Sequence, residues 1–123
     1  MEHMDTTATI QFLKDCLKKF RDDRNWAQFH KPKDLAMAIT IEAGELLERF
    51  LWKSETEILD NLNNPDKRQK VVEELADVFI TAINFANATE IDIAQAVLEK
   101  ISKNSEKYPV DKASGNAKKY NEL

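Results

Sequence analysis

Two apolar stretches of this chain carry almost no charge except closely spaced pairs of carboxylates, and that combination restricts the folds open to it. Across residues 35–47 the only charged side chains are Glu42 and Glu45, and across residues 71–88 they are Glu73, Glu74 and Asp77. Residues three apart lie roughly 60° from each other around a helix of ~3.6 residues per turn, so each pair in the pattern ExxE…ExxD projects from one face. A helix that is apolar nearly all round is ordinarily buried. An ionised carboxylate buried without a partner is strongly unfavourable, and like charges held close force protonation unless something positive intervenes.

The simplest source of that positive charge is a basic residue one turn away. Glu45 has Arg49 at i+4 and Glu74 has Lys70 at i−4, but Glu42 and Asp77 have no basic residue at i±3 or i±4. Two readings stay open on the residues alone: a divalent-metal site, which is favoured, or an interhelical salt-bridge network with solvated edges. An all-carboxylate ligand set points to a hard, oxygen-binding ion, Mg²⁺ or Mn²⁺ in preference to Zn²⁺.

At 123 residues the chain has the length of one small domain, residues 1–123, with a single core. Two glycines and three prolines leave few turns, and 42% hydrophobic with 33% charged residues suits a helical protein rather than a disordered one. The uncharged run at residues 78–89 is well short of the ~20 residues a membrane span requires, and the start of the chain lacks a secretory apolar region. Neither membrane nor secretion is therefore expected. The lone Cys16 cannot form an internal disulfide and reads as a core thiol, which makes a reducing cytoplasm the expected location. A net charge of −4 gives no global attraction for nucleic acid. The opening Met1-Glu2-His3-Met4 offers a second start at Met4, and residues 1–4 read as a tag remnant or a disordered end.

Apolar spacing predicts an all-α bundle of four to five helices. The first helix is expected at residues 7–23, with Ile10, Phe12, Leu13, Leu17 and Phe20 as its buried side, followed by a polar and aromatic segment at 24–33. The second is expected at 32–53, and Ser54 with Glu57 makes a capping box for a short helix to about residue 62. Asn63-Asn64-Pro65-Asp66 breaks the chain before a helix from residue 65 or 66 to 88, and a last one spans 91–107 until Tyr108-Pro109 ends it. Residues 110–123 form a polar tail. Gly44 costs about 1 kcal/mol relative to alanine in mid-helix, which implies close approach of another helix, a subunit or a ligand.

ExxE followed by ExxD in a helical chain of this size resembles the MazG-like nucleoside triphosphate pyrophosphatases. Further blocks are similar to the dCTP pyrophosphatase branch: Asn25-Trp26-Ala27-Gln28-Phe29-His30, Glu42-Ala43-Gly44-Glu45-Leu46, Phe50-Leu51-Trp52-Lys53, Glu73-Glu74-Leu75-Ala76-Asp77-Val78 and the KISKNSEKYP run from Lys100 to Pro109. The resemblance implies an all-α fold assembled as a dimer or dimer of dimers. It also implies Mg²⁺-dependent hydrolysis of a deoxynucleoside triphosphate to monophosphate and pyrophosphate, with Glu42, Glu45, Glu74 and Asp77 as metal ligands. One of those acids or Glu73 would orient the attacking water.

By the same resemblance Lys100 and Asn104, with Lys53 and Lys103, are candidates for triphosphate contacts, and Tyr108 either packs on the sugar or closes its helix. Trp26 and Trp52 match positions that line a base pocket, and His30 is either a ligand contact or a loop hydrogen-bonding group. Two positions depart from relatives that prefer dCTP: Leu17 stands in place of a histidine and Thr81 in place of a tyrosine, which leaves base preference open. Two other classes compete. A non-catalytic helical oligomerisation or interaction module would use the acids in interchain salt bridges. A di-iron bundle would need Glu-x-x-His pairs, which His3 and His30 do not supply.

Overall fold

A computed structural model describes residues 4–123; the reading of residues 1–3 as a tag remnant falls outside them. Every regular element among the described residues is helical, as expected: α1 (Ile10–Asp23), α2 (Pro32–Glu48), α3 (Glu55–Leu62), α4 (Pro65–Thr89), α5 (Ile93–Lys107) and the short α6 (Val110–Ala113). Three 3-10 turns, Met4–Thr6, Ala27–Phe29 and Tyr120–Glu122, supplement them. The chain divides into two compact units, one ending at Glu90 and the other starting at Ile91.

The helix boundaries follow from side-chain caps. Thr9 Oγ1 accepts from the Phe12 N–H at 3.0 Å, so α1 begins three residues later than the apolar pattern implies. The Ser54 hydroxyl accepts from Glu57 N–H at 3.2 Å and opens α3 as the capping box requires. Asn64 Oδ1 accepts from Lys67 N–H at 3.1 Å, with Pro65 at the first helical position, where its missing N–H costs nothing. Asn64→Ala is expected to lower stability by about 1 kcal/mol, a fall of about 4 °C in a thermal melt for a chain of this length. An unchanged melt would remove the cap from the account of α4.

The second helix is shorter than the expected 32–53. It stops at Glu48, where bonds from Arg49, Phe50 and Leu51 N–H groups to carbonyls three residues back tighten the turn, and Trp52 then takes a left-handed φ of +60°. A left-handed backbone cannot continue a right-handed helix, and it is costly for a bulky residue.

In the first unit α4 is the central element, packed most extensively on α2 and also on α1 and α3. Arg49 on α2 meets Glu74 on α4, while Glu42 lies near Asp77, so sequence rises along α2 as it falls along α4 and the two run antiparallel. Asn87 Nδ2 ties α4 to α1 by donating to the Lys14 carbonyl at 3.1 Å. Among the described residues the buried side chains are few: Leu35, Ile83 and Ala86.

The expected buried side of α1 is therefore corrected. Ile10, Phe12, Leu13 and Phe20 are exposed and only Leu17 is half-buried, because the neighbouring helices of one chain do not cover that face. Cys16 is exposed as well, not a core thiol. A Cβ placed on Gly44 meets nothing within 4 Å, so within the first unit no described helix approaches there.

In the second unit Asp92 Oδ1 caps α5 by accepting from Gln95 N–H at 2.9 Å. The helix closes at Tyr108, whose N–H donates to the Asn104 carbonyl at 2.9 Å before Pro109, as the sequence predicts. Residues 110–123 are ordered around α6. The Tyr108 and Tyr120 rings meet edge to face at 6.3 Å, with Lys107 Nζ 5.0 Å from the Tyr120 ring centre.

Candidate active site

The antiparallel packing of α2 on α4 brings the two carboxylate pairs together. One oxygen from each of Glu42, Glu45 and Glu74 lies within 4.8 Å of the others. Asp77, half-buried one turn further along α4, adds to the repulsion on Glu42. Removal from water raises the Glu42 pKa above the ordinary carboxylate value, and the hydrogen bond to Glu45 and the charges of Glu45, Asp77 and Glu74 push the same way. Glu73 is exposed on α4 beside this group.

Among the described residues one cation pairs with these acids. Arg49 Nη2 donates to Glu74 Oε1 at 3.1 Å, replacing the Lys70 partner that helical spacing offered and the Glu45 partner it offered to Arg49. The oxygens Glu42 Oε2 and Glu74 Oε2 are shut off from solvent with no hydrogen-bond partner. A buried carboxylate oxygen without a donor is costly, and a hard divalent cation satisfies several such oxygens at once. The donor set of Glu42, Glu45 and Glu74, with Asp77 adjacent, therefore fits a hard divalent cation.

On one side of the acids lies a cavity of about 330 Å³ whose wall includes Leu17, Phe20, Trp26, His30, Asp77 and Asn84. Phe20 and Trp26 meet edge to face at 5.8 Å, and the Arg24 guanidinium lies 3.6 Å from the Phe20 ring centre. Desolvation holds the His30 pKa below its usual value, assisted by the Arg21 charge, so the imidazole here is neutral near pH 7. Thr81 donates its hydroxyl to the Asp77 and Val78 carbonyls at 3.1 and 3.0 Å, which commits it to its own helix.

On the other side is a cavity of about 210 Å³ lined by Arg49, Lys53, Asn61, Lys67, Lys70 and Val71. Of these, sequence reasoning singled out only Lys53 as a ligand-contacting residue. The signal was present in the spacing 67, 70, 74, 77, 84, which keeps one face of α4 and joins the two cavities through the acids.

Trp52 is 92% exposed at its left-handed turn. Lys100, Asn104 and Tyr108 belong to the second unit, where Lys100 and Asn104 share one face of α5 a turn apart.

A family model described as MazG-like matches residues 37–123. The dCTP pyrophosphatase 1 of Mus musculus is 38% identical over 115 residues, covering 94% of this chain and 68% of the mouse protein, and that of Homo sapiens is 36% identical over the same length. A crystal structure of a pyrophosphatase from Archaeoglobus fulgidus aligns with a TM-score of 0.77 at 39% identity, over 89% of this chain and 98% of that one. With most of its length matched and its acids gathered on facing helices, this chain belongs to the MazG-like family.

Proposed function

We propose that the chain is a Mg²⁺-dependent nucleoside triphosphate pyrophosphatase that converts a deoxynucleoside triphosphate, dCTP or a related or modified one, to the monophosphate and pyrophosphate. The observation that carries this reading is the order of groups along one face of α4. An aromatic-lined cavity comes first, the carboxylates follow at Asp77 and Glu74, and a basic cavity comes last at Lys70 and Lys67. A nucleoside triphosphate presents base, α-phosphate and terminal phosphates in the same order. Relatives named as dCTP pyrophosphatases support the substrate class.

The residues divide the work. Trp26 and Phe20 offer apolar ring surface to a base, and neutral His30 offers one donor and one acceptor to its edge. Leu17 makes the neighbouring wall apolar, and the spent hydroxyl of Thr81 adds no polar contact. Base selection therefore rests on His30, Asn84, Arg21 and ring packing. Glu42, Glu45, Glu74 and Asp77 would hold the cation, which supplies charge neutralisation at the phosphates and acidifies a bound water. A carboxylate of the same group, or Glu73, accepts the proton of the attacking water. Lys53 donates to phosphate oxygens in this reading.

Self-association belongs to the same reading. On α2, Met37, Ile41 and Gly44 share an open face, and on α4 Val72, Leu75 and Phe79 are exposed roughly opposite the acids. Exposed apolar stripes of this length are covered in stable proteins, and a second copy of the chain is the occupant proposed here.

The test is product analysis with each common deoxynucleoside triphosphate, with Mg²⁺ and with chelator. Expected products are monophosphate and pyrophosphate, with turnover abolished by chelation. Release of orthophosphate in place of pyrophosphate contradicts the proposed bond cleavage.

A further inference from the structure

Arg49 does not pair within its own helix. Glu45 lies four residues before it on α2, at ordinary ion-pair spacing, and Lys70 stands at the same spacing from Glu74 on α4. Neither local pair forms among the described residues; Arg49 Nη2 instead reaches across to Glu74 Oε1 at 3.1 Å. Stability does not account for that choice. The arginine side chain is 40% exposed, and an ion pair this open to solvent contributes little to folding.

What the contact fixes is the direction of one carboxylate. A glutamate side chain has several soft torsions, and a charge-assisted hydrogen bond from a guanidinium restricts them. The bond uses one oxygen only. Oε1 accepts from Arg49, whereas Oε2 is shut off from solvent without a partner, as is Glu42 Oε2. Glu42, Glu45 and Glu74 each bring one oxygen within 4.8 Å of the others. The root of Arg49 is fixed as well. Its N–H donates to the Leu46 and Leu47 carbonyls where α2 ends, and a cation there meets the negative end of the helix dipole. From that point it borders the open groove beside Glu45, Glu48 and Glu74.

We propose that Arg49 is a positioning residue of the carboxylate centre: by holding Glu74 Oε1 it turns Glu74 Oε2 toward the oxygens of Glu42 and Glu45, ready to receive a divalent cation. The proposal rests on the metal-binding part of the pyrophosphatase reading. Arg49 keeps its place when the cation is bound, because the two oxygens of one carboxylate serve two partners. Its effect on affinity has two opposed parts. A positive charge beside the centre repels a cation, while a fixed ligand orientation favours it. Hydrogen bonds behind metal ligands are ordinarily worth roughly 10- to 100-fold in affinity. Orientation therefore outweighs repulsion, and the sign of the effect is the test.

Mn²⁺ is titrated into the intact chain without nucleotide, and the free ion is counted by electron paramagnetic resonance. Arg49→Met, which loses both charge and donors at similar length, should bind Mn²⁺ about tenfold more weakly. Arg49→Lys keeps a charged donor and should recover most of that loss. In a Glu74→Gln background Arg49→Met should change affinity by less than about twofold, because its effect passes through Glu74. Tighter binding by Arg49→Met overturns the proposal and makes Arg49 a competitor of the cation. Equal affinity in Arg49→Met and wild type overturns it too, as does the same weakening in both backgrounds, since the effect then does not pass through Glu74. Those three outcomes leave the metal centre and the pyrophosphatase reading standing. A wild type that binds no Mn²⁺ removes the metal centre itself, and the positioning role with it.

Discussion

Glu42→Gln is expected to hydrolyse its triphosphate at least about 100-fold more slowly than wild type, and yet to melt at a higher temperature when no metal is present. Both effects come from one crowded group of oxygens. Glu42 meets Glu45 and Glu74 within 4.8 Å, lies near Asp77, and has one oxygen without any donor. Its pKa is raised in the folded chain, so folding favours its protonated form. The sign follows directly. A carboxyl with a raised folded pKa stabilises the fold below its unfolded pKa and loses that contribution as pH rises through the folded value.

At neutral pH the metal-free wild type therefore carries the repulsion, and the amide removes it at nearly constant shape. The gain in melting temperature should be a few degrees, on the scale of about 4 °C per kcal/mol for this length. Added Mg²⁺ should raise the wild-type melt and leave the variant nearly unmoved, because ligand binding to the native state alone is what shifts it. Asp77→Asn should lose turnover likewise. Wild-type activity in either variant would sink the carboxylate site. A lower metal-free melt for Glu42→Gln would show that its charge is compensated within the protein and needs no metal ion.

How much of this was legible in the sequence depends on the range of the interaction involved. Helix identity and most ends are local, fixed by Asn64-Pro65, Ser54 with Glu57 and Tyr108-Pro109, and the structure agrees with those readings. The carboxylate pairs were legible because three-residue spacing on one helix is local too. The partner of Glu74 was not. Helical spacing offers Lys70, while packing supplies Arg49 from 25 residues away, and only the antiparallel docking of α2 on α4 selects it.

The end of α2 was also misread, since apolar periodicity runs on through Leu51 and Trp52 although the backbone turns left-handed there. Burial was the largest error. Apolar spacing reports that a face wants covering and says nothing of what covers it, so Phe12, Leu13 and Phe20 read as core and stand exposed in the single chain. The basic cavity escaped notice because its residues are far apart in sequence: Lys70 read only as a partner for Glu74 and Lys67 was not singled out, and only packing gathers them with Arg49, Lys53 and Asn61.

Phe79→Asp should convert the protein from an oligomer to a 14.2 kDa monomer in sedimentation and remove activity at low protein concentration. Phe79 is 59% exposed on a stripe with Val72 and Leu75, set off from Asp77 by about 200° around the helix, so the change does not touch the acids. Covering a phenylalanine contributes about 2 kcal/mol, and a two-fold interface counts the loss twice, so the dissociation constant should rise about a thousandfold before the cost of desolvating the aspartate is added. Turnover separates assembly from folding. If the substitution acts only by dissociating copies, activity per chain recovers as protein concentration is raised, while helical content by circular dichroism stays that of wild type throughout. A wild-type protein that is monomeric and fully active at micromolar concentration would leave the open faces of α2 and α4 without their proposed occupant. Concentration-dependent activity instead ties the exposed apolar stripes, the open surface at Gly44 and the outward Trp52 to one cause: the cleft is completed only when a second copy covers them.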